Sequence, residues 1–399
     1  MKRVTYLLHN FPGITDTFIK REIRSLQKAG TAVNVISVWK PKEAQTTPAI
    51  MSEWAPEIAF VLPRPIRLIL SGLLGSFVRN PARFIKTFAL AYSMSRPGLR
   101  GMAYQLFYFC EAVLVAEILR ERPADHLHNH IGDQSGTVTM LAAKLAGVPY
   151  SITFHGWPVF FDAKYSRIKE KVQAAKFTRA ISYFCRSQLM MFSETDDATP
   201  IKIVHCGLSM GKYTFRPPRE EVKTLFCAAR LSPEKGLTFL IRAVKELVDG
   251  GYDLTLRLAG NGPSLEQLKQ LTADLDISNR VEFLGFLNED EIIGALAASD
   301  LFVLPSYVEG IPVSAMEAMA IGVPVIATNI AGTSELVESG VTGLLVRPSD
   351  TLALKDAIAT MTDDYDLRLR IAGRARDKVV DEFDVDKETA KLNECLLRD

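Results

Sequence analysis

Glu309 and Glu317 stand seven residues apart in the stretch Glu309-Gly-Ile-Pro-Val-Ser-Ala-Met-Glu317. The apolar run 300–305 before them reads as a buried strand, and Pro312 suits the first position of a helix. The spacing therefore predicts a loop carrying Glu309 and a helix with Glu317 about a turn and a half inside it. Between the two acids lie the free backbone N–H groups of the stretch Gly310, Ile311, Pro312 and Val313, to which Pro312 itself contributes none. A helix N-terminus attracts anions, and each carboxylate beside it can hold a pair of hydroxyls. The chemistry implied is recognition of a phosphate attached to a polyol, which suggests a sugar nucleotide.

Other charged and glycine-bearing positions point the same way. Arg230 and Lys235, in Arg-Leu-Ser-Pro-Glu-Lys-Gly, follow the strand expected at 224–229 and are placed to neutralise a diphosphate. A solvated helix start explains Lys235 alone but explains the pair less well. Gly260, in Ala-Gly-Asn-Gly-Pro, marks a tight strand-to-helix turn with only two glycines of a dinucleotide fingerprint. At the first such turn, Gly13 would let a phosphate approach the backbone, and Thr15 reads equally well as a helix cap. His126, His128 and His130 alternate along one strand and so share a face; no carboxylate at ligand spacing accompanies them, and no metal is expected. His155, followed by Gly156, ends the apolar run 150–154, where it is either a ligand contact or a satisfied structural histidine.

Two motifs are decoys. Gly207-Leu-Ser-Met-Gly211 matches a hydrolase elbow, but no helix-forming segment follows Ser209 and every histidine lies at or before His205. Asp384-Val-Asp386 imitates a metal-binding pair within a charged C-terminal segment.

The elements that must position these residues alternate between strand and helix along both halves. In the first, strands are expected at 4–8, 32–39, 126–130, 150–154, 179–182 and 201–205, with helices at 15–29, 105–122, 135–146 and 165–175. The second shows six strands from 224 to 346 with helices between them. Alternation of this kind demands parallel sheets covered on both faces, in which ligands bind at the carboxyl ends of the strands. The fold class is thus α/β, with two doubly wound Rossmann-like domains and a site expected in the cleft between them. The Pro pair in Phe215-Arg-Pro-Pro-Arg reads as the linker, giving domains at 1–214 and 215–380 and a last segment at 381–399.

With 399 residues and 48% hydrophobic content, the chain can build two cores. A net charge of +1 argues against nucleic acid as a partner. The five cysteines are scattered and form no CxxC pair, which fits a reducing compartment and no structural zinc. With no signal-like N-terminus and no run of 18 apolar residues, a cytoplasmic location is expected. Residues 64–100 carry seven basic side chains and no acid among apolar ones. They form either the edge of a helix bundle or a basic amphipathic surface for anionic membrane.

Together the motifs resemble the retaining glycosyltransferases of the large GT-B family often called family 4. Glu309 to Glu317 is similar to its E-x7-E motif, and residues 230–236 are similar to its diphosphate-binding turn. The N-terminal Phe-Pro-x-x-x-x-Thr-Phe, His-Leu-His-Asn-His-Ile-Gly and Phe-His-Gly resemble members that build bacterial exopolysaccharides such as colanic acid. Ser209 stands where the family often has Asp. The resemblance implies transfer of a hexose from a nucleotide diphosphate sugar, UDP-linked or GDP-linked, to a lipid-linked or polysaccharide acceptor. It assigns Glu309 to the donor sugar hydroxyls, Glu317 to the ribose, and Arg230 and Lys235 to the diphosphate. It further gives His155 a contact with the donor sugar or its phosphate, brings Gly13 to the diphosphate, and puts Thr15 and His130 on the acceptor side. It implies no metal or other cofactor, and a location at the inner face of the plasma membrane. A silent sugar-nucleotide-binding scaffold and an epimerase of the same fold are the competing readings.

Overall fold

The computed structural model describes residues 2–196 and 200–397. The chain divides into two compact units: Met1–His205 with Glu388–Asp399, and Cys206–Lys387.

In the first unit, seven strands alternate with helices: β1 (Arg3–Asn10), β2 (Ala32–Trp39), β3 (Ile58–Leu62), β4 (His126–His130), β5 (Tyr150–Phe154), β6 (Phe177–Ala180) and β7 (Ile201–Ile203). They form one parallel sheet in the order β3-β2-β1-β4-β5-β6-β7. The strands are short apolar runs such as Val4, Tyr6 and Leu8, buried because helices cover both faces. Strand order reverses beside β1, so the crevice at the carboxyl ends of β1 and β4 is this unit's topological switch point.

The second unit holds β8 (Thr224–Ala228), β9 (Thr255–Ala259), β10 (Val281–Gly285), β11 (Leu301–Leu304), β12 (Val325–Thr328) and β13 (Leu344–Val346). Their order is β10-β9-β8-β11-β12-β13, again all parallel, with the switch point between β8 and β11. Its core runs from Leu225 and Phe226 through Phe302 to Met316 and Met319 on the helix Val313–Ile321.

Three sequence expectations need correction. Residues 215–219 are not a free linker: Arg216 N–H donates to Ile321 O at 2.8 Å, and a Cβ on Gly322 would meet Arg216 O at 2.3 Å. The Pro pair is extended because it lies packed along the second unit, which begins at Cys206. The last segment rejoins the first unit from Glu388 rather than 381, and Leu392 and Leu396 of the helix Val385–Leu397 lie in that unit's core. Asp384 accepts from the N–H groups of Asp386 and Lys387, so the apparent metal pair caps this helix. Thr15 is no cap either, because the first helix begins at Thr17 and Thr15 is exposed ahead of it.

Residues 64–100 belong to three packed helices, Ile66–Arg79, Pro81–Ser93 and Leu99–Glu121. The last is long and apolar enough to cross a membrane by length and composition, although the sequence has no unbroken apolar run of that size. Its second half is a core helix, with Ala112, Val113 and Val115 fully buried.

Candidate functional site

Loops at the carboxyl ends of β8, β9 and β11 are tied together through the backbone. Leu231 N–H donates to Asn261 O at 3.0 Å, Ser264 N–H to Leu231 O at 2.9 Å, and Tyr307 N–H to Glu234 O at 2.8 Å. Two glycines make this closeness sterically allowed. Gly236 has φ +61° and would bring a Cβ 2.2 Å from Pro305 O; Gly260 has φ +134° and would bring one 1.9 Å from Ala229 O. The Gly260 position is thus required by the loop junction itself.

Into this junction project the second unit's charged side chains. Lys235 Nζ lies 2.7 Å from Glu309 Oε1, and Ser306 Oγ donates to the same oxygen at 2.6 Å. The pair is mostly buried, with the Lys235 and Glu309 side chains 18% and 12% exposed. Arg230 is exposed at the end of the same loop. The helix Val313–Ile321 begins one residue after Pro312, which fills the flanking cap position with φ −75° and ψ 106°. Gly310 O is packed so closely against Gly332 that a Cβ there would lie 1.9 Å from it. Ile311 and Pro312 are buried, which anchors the start of the helix, and the N–H of Val313 has no intrahelical acceptor. Glu317 is 8% exposed and accepts from Tyr213 Oη at 3.0 Å. The arrangement offers two cations, a helix N-terminus and two carboxylates, the donors and acceptors needed for a phosphorylated polyol.

The first unit carries a second cluster at its own switch point. His130 ends β4, and its Nδ1 lies 2.8 Å from His155 Nε2. Its Nε2 lies 3.0 Å from Glu22 Oε1, which also accepts from Tyr6 Oη at 2.6 Å. Arg179 bonds the other Glu22 oxygen and donates to Val204 O and His205 O, each at 2.8 Å. Burial alone would raise the Glu22 carboxyl, but Arg179 and His130 hold it well below the usual range. Burial, reinforced by His130 and Arg179, pushes His155 well below its ordinary value, so this ring is neutral at physiological pH. When His130 carries one proton, the Glu22 anion places it on Nε2, and Nδ1 then accepts from His155 Nε2. Phe18 packs on the His155 ring at 4.6 Å between centroids.

Glu22, His128 and His130 present ligand-type atoms within 4.8 Å of one another. The two His128 nitrogens are engaged by Ser151 Oγ at 2.7 Å and Thr153 Oγ1 at 3.0 Å, so the trio reads as a hydrogen-bonded network. Gly13 N–H donates to Asp16 Oδ2 at 2.6 Å, which puts a carboxylate of the chain where a phosphate was expected. The structure thus brings His130 to His155 and Lys235 to Glu309, and leaves Thr15 exposed outside both clusters.

Sequence reasoning missed Glu22, Arg179, Tyr6, Asp16, Ser306 and Tyr213. Glu22 had a readable signal: with Ile19, Ile23 and Leu26 it occupies the buried stripe of an amphipathic helix, where an acid requires a partner. Arg179 within Phe-Thr-Arg-Ala was a second such signal, a charge inside a buried strand.

Residues 213–378 match the family model of glycosyl transferases group 1. Over its whole length the chain is similar to a Salmonella typhimurium protein named for colanic acid biosynthesis, the glycosyltransferase WcaL, at 26% identity covering 99% of this chain and 100% of that one. It is also 26% identical to the UDP-Gal:alpha-D-GlcNAc-diphosphoundecaprenol alpha-1,3-galactosyltransferase of Escherichia coli, covering 70% of this chain and 77% of the relative. Among solved structures, Anabaena Alr3699/HepE in complex with UDP and glucose superposes with a TM-score of 0.76 at 20% identity, over 99% of both chains. This likeness shows that the fold is GT-B.

Proposed function

We propose, from the match of residues 213–378 to the glycosyl transferases group 1 model, that the protein is a retaining hexosyltransferase that takes its sugar from a UDP-sugar. The observation that carries this reading is the Lys235–Glu309 pair set at the β8/β11 switch point with Arg230 on the same loop. Arg230, Lys235 and the helix N-terminus at Val313 stabilise the departing diphosphate, the electrostatic role that dominates such catalysis. Glu309 orients the donor sugar through its hydroxyls, and Glu317 reads the ribose. The departing phosphate oxygen helps take the acceptor proton, so no covalent carboxylate is needed and the anomeric configuration is retained. On the first unit, His155 is the candidate for contact with the transferred sugar.

The names of the two relatives support an acceptor that is a lipid-linked or polysaccharide glycan in exopolysaccharide assembly. The UDP in the structural neighbour supports uracil as the base.

A thermal-shift series with UDP, GDP, ADP and their hexoses tests the donor, because a ligand bound only by the native state raises its stability with concentration. A rise with UDP-sugars that is lost in Lys235→Ala supports the reading. A shift with GDP-sugars alone overturns the choice of base.

A further inference from the structure

From Ile58 to Cys110 the sequence contains seven basic residues and no acid. The three helices that fill this interval carry apolar stripes on their solvent side. Ile66, Leu70, Leu74 and Val78 recur at a spacing of four, each more than half exposed, at 73, 58, 64 and 67%. Ile85 and Tyr92 on the second helix and Leu99 and Leu106 on the third are likewise more than half exposed. A helix normally turns such a stripe inward, yet here the inner side is already filled: Gly72 packs on Val113 and Leu114, and Phe84 and Phe88 pack on Phe109. Exposed apolar area of this extent, concentrated on one helical layer, marks an interaction surface.

The second and third helices enclose an apolar groove of about 230 Å³ lined by Phe88, Tyr92, Met102, Leu106 and Phe109. Two polar residues also line it, Ser95 and Gln105. Ser95 Oγ and Gln105 Nε2 are buried and lack a hydrogen-bond partner among the described residues, although Gln105 is only 7% exposed. A buried amide donor left unpaired costs free energy that a ligand oxygen would recover.

We infer that this three-helix layer seats on an anionic phospholipid bilayer, with its apolar stripes in the interface and an acyl chain in the groove. Ester carbonyl oxygens at the top of that chain supply the acceptors that Gln105 and Ser95 lack. Arg64, Arg67, Lys86 and Arg100 are exposed and meet the anionic headgroups. Charge selects this occupant over a second copy of the chain: Glu117 of the third helix is already paired with Arg79 and Arg120, so a twofold contact would bring the exposed Arg64, Arg67, Lys86 and Arg100 of both copies together.

The test is co-flotation of the full chain with vesicles of phosphatidylcholine alone or mixed with phosphatidylglycerol. Binding to the mixed vesicles that weakens with added salt is expected, with each Arg or Lys removed costing about fivefold. Leu70→Asp with Leu74→Asp, both on the exposed stripe, abolishes binding while melting temperature and UDP-induced shift stay unchanged. Leu74→Trp supplies a reporter whose fluorescence is quenched by lipids brominated in the acyl chain. Absence of binding at low salt overturns the inference, as does adsorption without quenching of that reporter. A wild-type dimer that the double variant converts to monomer, with no vesicle binding, assigns the face to self-association instead.

Discussion

Lys235 Nζ and Glu309 Oε1 are 2.7 Å apart, so the lysine that is proposed to neutralise the donor diphosphate is held by a carboxylate of the chain itself. The contact fixes the side chain's position, and a bound diphosphate brings enough negative charge to share the ammonium. Lys235→Ala and Arg230→Ala are each expected to lower kcat by about 10²–10³ while melting temperatures change little, as measured by UDP release. Near-normal turnover in both would remove the assignment. Glu309→Gln keeps the Ser306 contact and is expected to raise KM for the donor more than Glu317→Gln does.

The Glu22–Arg179 pair makes a different prediction, one about folding. Both side chains are almost wholly buried. Arg179→Met leaves the carboxylate without its main counter-charge and should destabilise the protein by about 3–5 kcal/mol. The double variant Glu22→Leu, Arg179→Met should recover much of that loss, because no uncompensated charge remains. Urea denaturation measures both; equal stability of the single and double variants contradicts the coupling.

A third prediction concerns pH. Burial pushes the Glu111 carboxyl up to about 8, with the Trp39 side chain partly opposing the shift. The folded pKa is raised, so the stabilisation is fully present below the unfolded value near 4.5 and is lost as pH rises through 8. Lys171 has the opposite sign: burial lowers it to about 7 from 10.5, so its contribution is present above 10.5 and is lost as pH falls toward 7. Melting temperature measured against pH should therefore fall less steeply between pH 5 and 8 in Glu111→Gln than in the wild type. The raised carboxyl corresponds to on the order of a few kcal/mol of stability across that range, and coincident melting profiles would contradict it.

Gly260 gives the fourth. Any Cβ there meets Ala229 O at 1.9 Å from a backbone at φ +134°, so Gly260→Ala must pull apart the β8 and β9 loops. Loss of about 2 kcal/mol or more is expected, together with a weaker UDP shift, because Arg230 sits on the displaced loop.

What could be read in the sequence was whatever local periodicity controls. The strands 126–130 and 150–154 coincide with β4 and β5, and Glu317 lies in the helix that Pro312 introduces. Positions set by contacts between distant segments could not be read this way. Residues 215–219 look like a linker because prolines give the same extended backbone whether or not something packs against it. Thr15 looks like a cap because Thr, Asp and Thr follow one another at 15–17, and only the bond from Lys20 N–H to Asp16 O, at 3.0 Å, shows where the helix starts. His155 was visible at a strand end, while the Glu22–His130 pair that fixes it joins a helix to a strand 108 residues later.

The return of the final helix to the first unit has a consequence for synthesis. Thr31 bonds Asn393 at 2.9 Å, Glu388 accepts from His205 N–H at 2.7 Å, and Leu392 and Leu396 complete a core begun by Val4 and Tyr6. On a ribosome the chain emerges from its N-terminus, so the first unit waits for the segment beyond Lys387, made after the whole second unit, before its core is closed. The second unit, continuous from Cys206 to Lys387, has all its own strands beforehand. Order of folding is therefore expected to run against order of translation, and a chain stalled after Lys387 should show a protease-resistant second half and a digestible first.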